Sequence, residues 1–264
     1  MAKTSISWCD FSFNPWWGCT RIEGSRACGP VDGQGGAICY AETWSERVGY
    51  SDTGSKFPIW GAKSERRYFG DKHWNEPLKW NAAAQKSGTR ARVFCMSMGD
   101  WAEGRPDQVP HLERLWKLIE ATPWLDWLML TKRPQLITKL CPFKNHPRVW
   151  QGTTTEDQYW LDLRWELMKR AEAEIYWLSI EPMFEALKLP ADFLSLGGRA
   201  WVICGGQSGN GALHINPEWA RSLRDQCLEA GVRFHMKQMS GRTKAELEAI
   251  PQDLMIRQYP EVRA

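Results

Sequence analysis

ARVFCMSMGD, residues 91–100, joins a run of apolar and β-branched residues to a polar cluster, and the same arrangement recurs along the chain. The next example is DWLMLTKRP at 126–134. Short apolar runs of this composition, bounded by polar residues, are typical of buried strands. The recurrence predicts six strands, at about 91–96, 126–130, 148–153, 175–179, 201–205 and 232–236.

Longer segments with helical periodicity separate these runs. The clearest predicted helices lie at 107–121, 157–173 and 217–230, with further helices beginning near Tyr40 and at about 243–249. Strands that alternate with helices predict an α/β fold built on a parallel sheet. The length of 264 residues matches that at which a parallel α/β barrel closes or nearly closes.

Composition predicts one globular domain over residues 1–264, with a possible lid or substrate-binding insertion at about 50–90. Charged residues make up 25% and hydrophobic residues 43%, which is ordinary for a folded domain. We find neither an apolar run of about 18 residues nor a signal peptide, and therefore expect a cytoplasmic protein with no membrane partner. A net charge of +3 permits a polyanionic partner without identifying one. For each of the 17 tryptophans, a place in the core is the favoured interpretation.

Polar clusters follow five of the predicted strands. They are SMGD (97–100), TKRP (131–134), TTTEDQ (153–158), SIEP (179–182) and GGQSG (205–209). The carboxyl ends of parallel strands meet at one edge, and that edge holds the active site in α/β barrels and open sheets. Charged groups at such a mouth need a ligand or one another to offset their desolvation. We therefore predict one shared site.

Three cysteines, Cys19, Cys28 and Cys39, lie in a glycine-containing loop, at spacings of nine and eleven residues. Thiolates are the usual ligands of iron–sulfur clusters, and three of them leave one iron of a cubane free for another molecule. Zinc, or a closed four-cysteine cluster that includes Cys9, are the alternatives, and spacing does not choose among them.

The remaining cysteines are interpreted as small buried hydrophobes: Cys95, Cys141, Cys204 and Cys227. The five histidines show no metal-ligand spacing, and His235 is the one placed at a strand end.

A family resemblance emerges from several motifs in order. They are Asn14-Pro15, Gly18-Cys19, Ser25, Cys28, Cys39-Tyr40-Ala41-Glu42, Ser97-Met98-x-Asp100, Leu130–Pro134, Glu156-Asp157-Gln158, Ser179-x-Glu181-Pro182 and Gly205–Gly209. Together, over about residues 5–240, they resemble the three-cysteine phage-associated proteins related to radical S-adenosylmethionine (SAM) enzymes. The chain departs from that pattern by about eight extra residues between Cys28 and Cys39, and by Gln207 in place of an acidic residue.

The resemblance implies a partial (β/α) barrel of the radical SAM type, with about six to seven parallel strands and a first loop that carries a [4Fe-4S] cluster. It implies SAM as the second cofactor, chelated to the open iron, and an electron donor such as flavodoxin or ferredoxin. Electron transfer then yields a 5′-deoxyadenosyl radical, while the protein orients the cofactors and excludes water.

Residue roles also follow from the resemblance. Cys19, Cys28 and Cys39 are expected to hold the metal and, with Glu181 and Lys132, to serve catalysis. Residues expected to bind SAM are Ser97 and Asp100 at the methionine amine, Lys132 at its carboxylate, Thr153, Thr155 and Ser179 at the ribose, Glu156 there or at the substrate, Gly205, Gly206 and Gln207 near the adenine, and Tyr40 against the nucleoside.

The relatives suggest a nucleic-acid substrate, because they occur among bacteriophage genes and beside genes for DNA base modification. The implied reaction is hydrogen abstraction from a modified thymine-type base in DNA and its rearrangement, by an isomerase, mutase or lyase in the host cytoplasm if the gene is viral. A photoproduct-type repair enzyme and a non-catalytic zinc- or cluster-binding nucleic-acid module are the alternatives. Basic residues interleaved with aromatic ones form a candidate DNA surface: Lys56, Lys63, Arg66, Arg67, Lys72 and Lys79 with Phe57, Trp60, Tyr68, Phe69, Trp74 and Trp80. A solvated face over a small aromatic core is the alternative interpretation of this surface.

Overall fold

The computed structural model describes residues 4–29, 39–51, 54–209 and 211–261. Nine strands are present in these residues: β1 Phe11–Ser12, β2 Trp16–Trp17, β3 Arg67–Tyr68, β4 Ala91–Cys95, β5 Leu125–Thr131, β6 Val149–Thr154, β7 Tyr176–Ile180, β8 Ala200–Gly205 and β9 Arg233–Gln238. Seven of them form one sheet in the order β1-β4-β5-β6-β7-β8-β9, and every neighbouring pair is parallel. The strands β2 and β3 form a separate antiparallel pair.

Helices connect the strands of the main sheet. The described residues contain α1 Tyr40–Arg47, α2 Asp71–Trp74, α3 Glu76–Ser87, α4 Val109–Glu120, α5 Ile137–Leu140, α6 Gln158–Met168, α7 Ala191–Leu194 and α8 Pro217–Glu229. The six predicted strands and the predicted helices α1, α4, α6 and α8 are confirmed, with ends displaced by up to five residues. The α/β fold class, a partial barrel of about six to seven parallel strands, is confirmed by the seven parallel strands of this sheet.

Two elements differ from the sequence prediction. Residues 244–246 form one 3₁₀ turn where a helix was expected at 243–249, so that prediction was wrong. Helix α3 was not predicted, although Pro77 in its first turn and Gly88, whose φ of 67° ends it, are conventional boundary signals. Its apolar periodicity is weak because three consecutive alanines in its centre give little contrast between its faces.

Aromatic contacts on the inner face show that the sheet is strongly curved. The ring centroid of Trp8 lies 4.6 Å from that of Phe94 on β4 and 6.3 Å from that of Trp201 on β8. Strands β4 and β8 are four spacings apart, which in a flat sheet is about 19 Å. One side chain reaches both strands only if the sheet curls around it. The sheet is therefore a half-barrel.

Chain ends cover the open side of the half-barrel. The hydroxyl of Ser7 lies 3.0 Å from Nε2 of His235 on β9, and the hydroxyl of Tyr259 donates to the Ser7 carbonyl oxygen at 3.1 Å. The Met236 amide donates to the carbonyl oxygen of Ile256 at 2.9 Å, so the C-terminal segment extends the edge of β9. These contacts bring residues near both ends of the chain together.

Tryptophans fill the lower interior of the half-barrel. Trp150, Trp177 and Trp201 are at most 2% exposed and contact one another through the inner cluster. A Cβ on Gly152 would lie 2.1 Å from the Trp177 ring, so this glycine makes room for the indole. The packed interior leaves the carboxyl edge of the sheet as the place for a ligand. In the described part of the chain, no helix is long and apolar enough to span a bilayer.

Candidate cofactor site at the carboxyl edge

The strand ends bring the predicted polar clusters onto one rim. The hydroxyl of Thr131, at the end of β5, donates to an Asp100 oxygen beyond β4 at 2.6 Å. A Cβ on Gly205, at the end of β8, would lie 2.8 Å from an oxygen of Glu181 beyond β7. Neighbouring clusters that are far apart in sequence are thus in direct contact.

Two glycines place Cys19 beside the end of β4. The Gly18 amide donates to the carbonyl oxygen of Met98 at 2.9 Å, and Gly18 forms a parallel bridge with Gly99. The φ of Gly18 is 107°, and a Cβ there would lie 2.2 Å from the Ile59 carbonyl oxygen. Since only glycine tolerates this conformation and this approach, Gly18 is required for the position of the cysteine.

A guanidinium lies against the Cys19 thiol. Arg133 Nη1 is 3.6 Å from the Cys19 sulfur and donates to an Asp100 oxygen at 2.8 Å, while Nη2 donates to the Thr20 carbonyl oxygen at 2.5 Å. Burial raises the pKa of the Cys19 thiol, and the Asp100 carboxylate raises it further, whereas Arg133 opposes both effects. Arg133 therefore favours the thiolate form that a metal would need.

A buried ion pair supports the next residue in the loop. Glu103 accepts hydrogen bonds from the backbone amide and the hydroxyl of Thr20 at 2.9 and 2.6 Å. Arg66 donates to the same carboxylate at 2.5 Å, and both side chains are at most 3% exposed. Glu103 was not identified from the sequence because it lies beyond the SMGD motif.

Cys28 is supported from the other side of the rim. Its amide donates to the Ser25 carbonyl oxygen at 2.9 Å, and the Ser25 hydroxyl donates to the Glu156 carboxylate. Glu156 forms a 2.7 Å ion pair with Arg164 of α6, and both side chains are at most 1% exposed. This contact set ties the loop to strand β6 and helix α6. Glu156 thus has a supporting role, in addition to the ligand-binding role predicted for it.

Cys39 immediately precedes helix α1. Arg21, from the first part of the loop, forms a 2.7 Å ion pair with Glu42 in the first turn of that helix. Burial raises the pKa of the Cys39 thiol, and Lys132 works against the shift. The helix and the early loop are therefore joined beside the third cysteine.

Lys132 follows the end of β5, and its electrostatic neighbours include two of the predicted ligand thiols and a rim carboxylate. Burial disfavours its charged form, but Cys28, Glu156 and Cys39 outweigh burial and raise the pKa of the amine. A cation at this position is suited to binding an anionic group next to two of the three cysteines.

The side chains of the three cysteines are of the type that binds iron–sulfur clusters. Thiols are the usual ligands of such clusters, and two cations partly offset the burial that raises the pKa of the Cys19 and Cys39 thiols: Arg133 at Cys19 and Lys132 at Cys39. Over the described ranges, no three histidine, cysteine or acidic side chains converge closely enough to hold a single metal ion. The ligands of a cubane bind different iron atoms and need not converge on one point. Part of the loop, residues 30–38, lies outside the described residues, and the ligand set stays a prediction.

Asp100, predicted to bind the methionine amine of SAM, is hydrogen-bonded to other residues of the rim. Asp100 accepts four hydrogen bonds, from the Ala102 and Lys132 amides, the Thr131 hydroxyl and Arg133. These bonds fix the turn after β5, which gives the carboxylate a structural role.

Ser97 stands at the rim beside the first helix. Asn14 donates to its hydroxyl at 3.2 Å, and Ser12 does so at 3.1 Å. The Tyr40 hydroxyl donates to the Ser97 carbonyl oxygen at 2.6 Å, although 60% of the tyrosine side chain is exposed. Tyr40 therefore presents an accessible ring at a fixed position.

The predicted ribose-binding hydroxyls are divided between the two faces of the sheet. Thr153 has the strand parity of Val149, which packs under the helices, and its hydroxyl donates to the Thr131 carbonyl oxygen at 2.8 Å. Ser179 has the parity of Trp177 and faces the barrel interior. The fully buried hydroxyl of Thr155 has no hydrogen-bond partner in the described structure. Thr155 has the sequence parity of Thr153, and its ribose-binding role stays a prediction.

Lys237 was not identified from the sequence. Its amine lies 3.0 Å from a Glu181 oxygen, and Ser179 donates to the other oxygen at 3.2 Å. The register of β9 shifts here, with Cys204 opposite Met236 and Gly205 opposite Gln238, so Lys237 is the extra residue of a β-bulge. Bulges re-aim side chains. No sequence signal marks this bulge.

The late glycine motif has close protein contacts. A Cβ on Gly206 would lie 2.6 Å from the Ser240 amide nitrogen, so the glycine permits two backbones to meet. Gln207 accepts a hydrogen bond from the Leu213 amide at 3.0 Å and is 7% exposed. These contacts account for Gly206 without a bound adenine, and the adenine role of the motif stays a prediction.

The candidate DNA surface is only partly a surface. Arg66, Trp74 and Trp80 are 3%, 2% and 8% exposed, so their assignment to it was wrong. Arg67 packs over the rings of Trp17 and other aromatic residues. Trp74 and Trp80 belong to the main hydrophobic core, and Tyr68 and Phe69 pack against it, so these aromatic residues do not form a separate small core.

The remaining cysteine and histidine predictions concern the core. Cys95, Cys204 and Cys227 are fully buried, which confirms them as small hydrophobes, whereas Cys141 is half-buried. His235 faces the barrel interior and is fully buried, with Nδ1 lacking a partner in the described residues.

Comparisons with known proteins show the fold. Residues 3–261 match the family described as "Protein of unknown function (DUF5131)". No curated protein matches the chain. Solved structures of spore photoproduct lyase share the fold at 11% identity. A mutant with one cysteine replaced by alanine has a TM-score of 0.55 and a mutant with serine at that cysteine 0.54, each over 89% of this chain and 79% of the lyase.

Proposed function

The chain belongs to the DUF5131 family of proteins of unknown function, and from that premise we propose that it is a radical SAM enzyme. Cys19, Cys28 and Cys39 hold a [4Fe-4S] cluster in this proposal. When bound, the cluster and SAM together supply a 5′-deoxyadenosyl radical.

One observation carries the proposal most directly. Each of the three cysteines is supported by a different ion pair at the carboxyl edge of a half-barrel whose opposite end is filled with tryptophan. The pairs are Arg133–Asp100 beside Cys19, Arg164–Glu156 beside Cys28 and Arg21–Glu42 beside Cys39. A loop that served as an ordinary surface connection would not need two nearly buried ion pairs, because burying charge is costly.

The residues around the thiols have defined tasks. Lys132 binds the methionine carboxylate next to Cys28 and Cys39, where its raised pKa keeps it charged. Thr155 has a buried hydroxyl without a hydrogen-bond partner in the described residues. Ser179 faces the interior from β7 and donates to Glu181 just beyond that strand. The indoles below the site exclude water from the reacting atoms.

The proposed substrate is a modified thymine-type base in DNA, from which hydrogen is abstracted before rearrangement. Tyr40 and Trp44 support this proposal because they are 60% and 49% exposed and stand one helical turn apart, directly after Cys39. Aromatic faces at the mouth of a site are suited to stacking on an extruded base.

A second candidate is a photoproduct-lyase-like repair enzyme that acts on a crosslinked pyrimidine pair. The shared fold with spore photoproduct lyase favours it. The two candidates use the same cofactors and differ in the substrate alone.

The cofactor proposal is tested by anaerobic purification with iron and sulfide analysis, followed by an assay for 5′-deoxyadenosine after chemical reduction with SAM. Wild-type protein is expected to be brown and to release the nucleoside. Alanine at Cys19, Cys28 or Cys39 is expected to abolish both, whereas Cys227→Ala, on the buried face of α8, is expected to retain the cluster. Colourless, zinc-loaded protein would support a binding module and refute the enzyme.

The substrate proposal is tested by mass spectrometry of nucleosides. DNA from cells that express wild-type protein is compared with DNA from cells that express Cys28→Ala. A modified nucleoside whose amount depends on Cys28 supports base modification. Loss of crosslinked pyrimidine pairs from irradiated DNA, without a new nucleoside, supports repair instead.

A further inference from the structure

The Cys19 thiol lies at one end of a nearly buried dipole. Arg133 Nη1 is 3.6 Å from the sulfur, and the same nitrogen donates to Asp100 at 2.8 Å. The two side chains are 12% and 6% exposed, so water screens their charges poorly. The positive end therefore faces the sulfur.

Backbone and side-chain contacts hold this dipole in one orientation. Arg133 is fixed by the Thr20 carbonyl oxygen at 2.5 Å, and its own amide donates to Thr131 Oγ1 at 2.8 Å. Asp100 is fixed by that same hydroxyl and by the Lys132 and Ala102 amides. Neither charge can turn away from the thiol without breaking several hydrogen bonds.

We propose that the Arg133–Asp100 pair sets the reduction potential of a cluster bound through Cys19. The inference rests on the proposed function. An N–H donor and a positive charge at a ligand sulfur stabilise an added electron and raise the potential. Asp100 opposes this effect from the far side of the guanidinium. Arg133 is thus a positioning residue that acts through Cys19.

Coulomb's law gives the size of the effect. The guanidinium is in contact with the ligand sulfur, and the opposing carboxylate lies behind it, at the far side of the ion pair. With an effective dielectric constant of about 20, the net effect of these two charges changes the equilibrium constant of one-electron reduction by about tenfold. For a one-electron couple this corresponds to about 59 mV.

The test is a spectroscopic redox titration of cluster-loaded protein with a chemical reductant. Arg133→Gln is expected to lower the equilibrium constant for reduction by more than about tenfold, because it removes the favourable charge and leaves the opposing carboxylate in place. Arg133→Lys is expected to restore part of the difference because the charge is retained. Asp100→Asn is expected to shift the potential in the opposite direction. Arg221→Gln is the matched control, because Arg221 is paired with Asp253 on the outside of the protein.

Opposite shifts of the reduction potential in Arg133→Gln and Asp100→Asn support the inference. A general loosening of the loop would shift the potentials of the two variants in the same direction. If Asp100→Asn does not fold, the order wild type, Arg133→Lys, Arg133→Gln decides the question. Equal potentials at equal iron content overturn the inference and leave the proposed function standing. Wild-type protein that binds no cluster overturns both.

Discussion

Replacing Glu156 by glutamine is expected to destabilise the protein by about 3–5 kcal/mol, the usual cost of removing one partner from a buried ion pair. Glu156 is 0% exposed, and its partner Arg164 is 1% exposed. Two of the three guanidinium nitrogens of Arg164 have no hydrogen-bond partner in the described residues. The carboxylate therefore carries most of the compensation for this buried charge. Glutamine keeps the volume and an acceptor, so the loss measures the charge.

The assay is urea unfolding monitored by tryptophan fluorescence, applied to Glu156→Gln and to a double-mutant cycle of Glu156→Leu and Arg164→Met. Each single substitution leaves an unpaired or unsatisfied group, whereas the double variant removes both charges. The double variant is expected to be more stable than the less stable of the two single variants. Glu172→Gln is the control, because Glu172 pairs with the exposed Lys144 and is expected to change stability by about 0.5 kcal/mol or less.

A loss below about 1 kcal/mol for Glu156→Gln, or strict additivity in the cycle, would refute the argument that this pair supports the cysteine loop. Reduced SAM binding at unchanged stability would then return Glu156 to the role that the sequence suggested.

Three further outcomes are expected from the packing and the electrostatics. Gly152→Ala places a methyl carbon 2.1 Å from an indole ring and should cost about 1–3 kcal/mol in thermal unfolding, whereas Gly70→Ala meets nothing within 4 Å and should be nearly neutral. Burial lowers the pKa of His235 to about 3, so the stabilisation by the neutral imidazole is present above pH ~6.5 and is lost as the pH falls towards 3, by about 1.4 kcal/mol per pH unit. In urea unfolding, His235→Gln should lack this pH-dependent loss of stability. A pH profile identical to that of the wild type would contradict the lowered pKa. Arg66→Met should lower stability by about 3–5 kcal/mol without a specific change in DNA affinity, whereas the exposed Lys63→Met should change stability by about 0.5 kcal/mol or less; a folded Arg66→Met protein with weakened DNA binding would show that the residue contacts DNA.

The sequence predicted the sheet well because the signal is local. Each long strand is a continuous apolar run that ends at polar residues, and each long helix has its own boundary residues. Strand β1 gave no such signal: it is two residues long and exists because Phe11 pairs with Val93, far along the chain. The bulge at Lys237 is likewise a property of two paired strands, not of either strand alone.

Side-chain direction was the second limit. Thr153 and Thr154 are the same residue type, but successive residues of a strand point to opposite faces of β6. A boundary uncertain by one residue therefore decides whether a hydroxyl faces the interior or the helices. The basic stretch was misjudged for a related reason, because Arg66 reaches inward to a carboxylate outside the stretch.

The charged side chains at the rim require a partner, which is either a ligand or an oppositely charged side chain. The sequence could not distinguish these two cases because the ion-pair partners are distant along the chain. In the structure Glu156 pairs with Arg164, Asp100 with Arg133 and Glu181 with Lys237. Lys132 differs, because its electrostatic neighbours are two thiols and a carboxylate already paired elsewhere. Among the residues that the structure describes, Lys132 takes part in no ion pair that a bound anion would have to displace. We therefore expect an anion at the rim to bind at Lys132, whose electrostatic neighbours include Cys28 and Cys39.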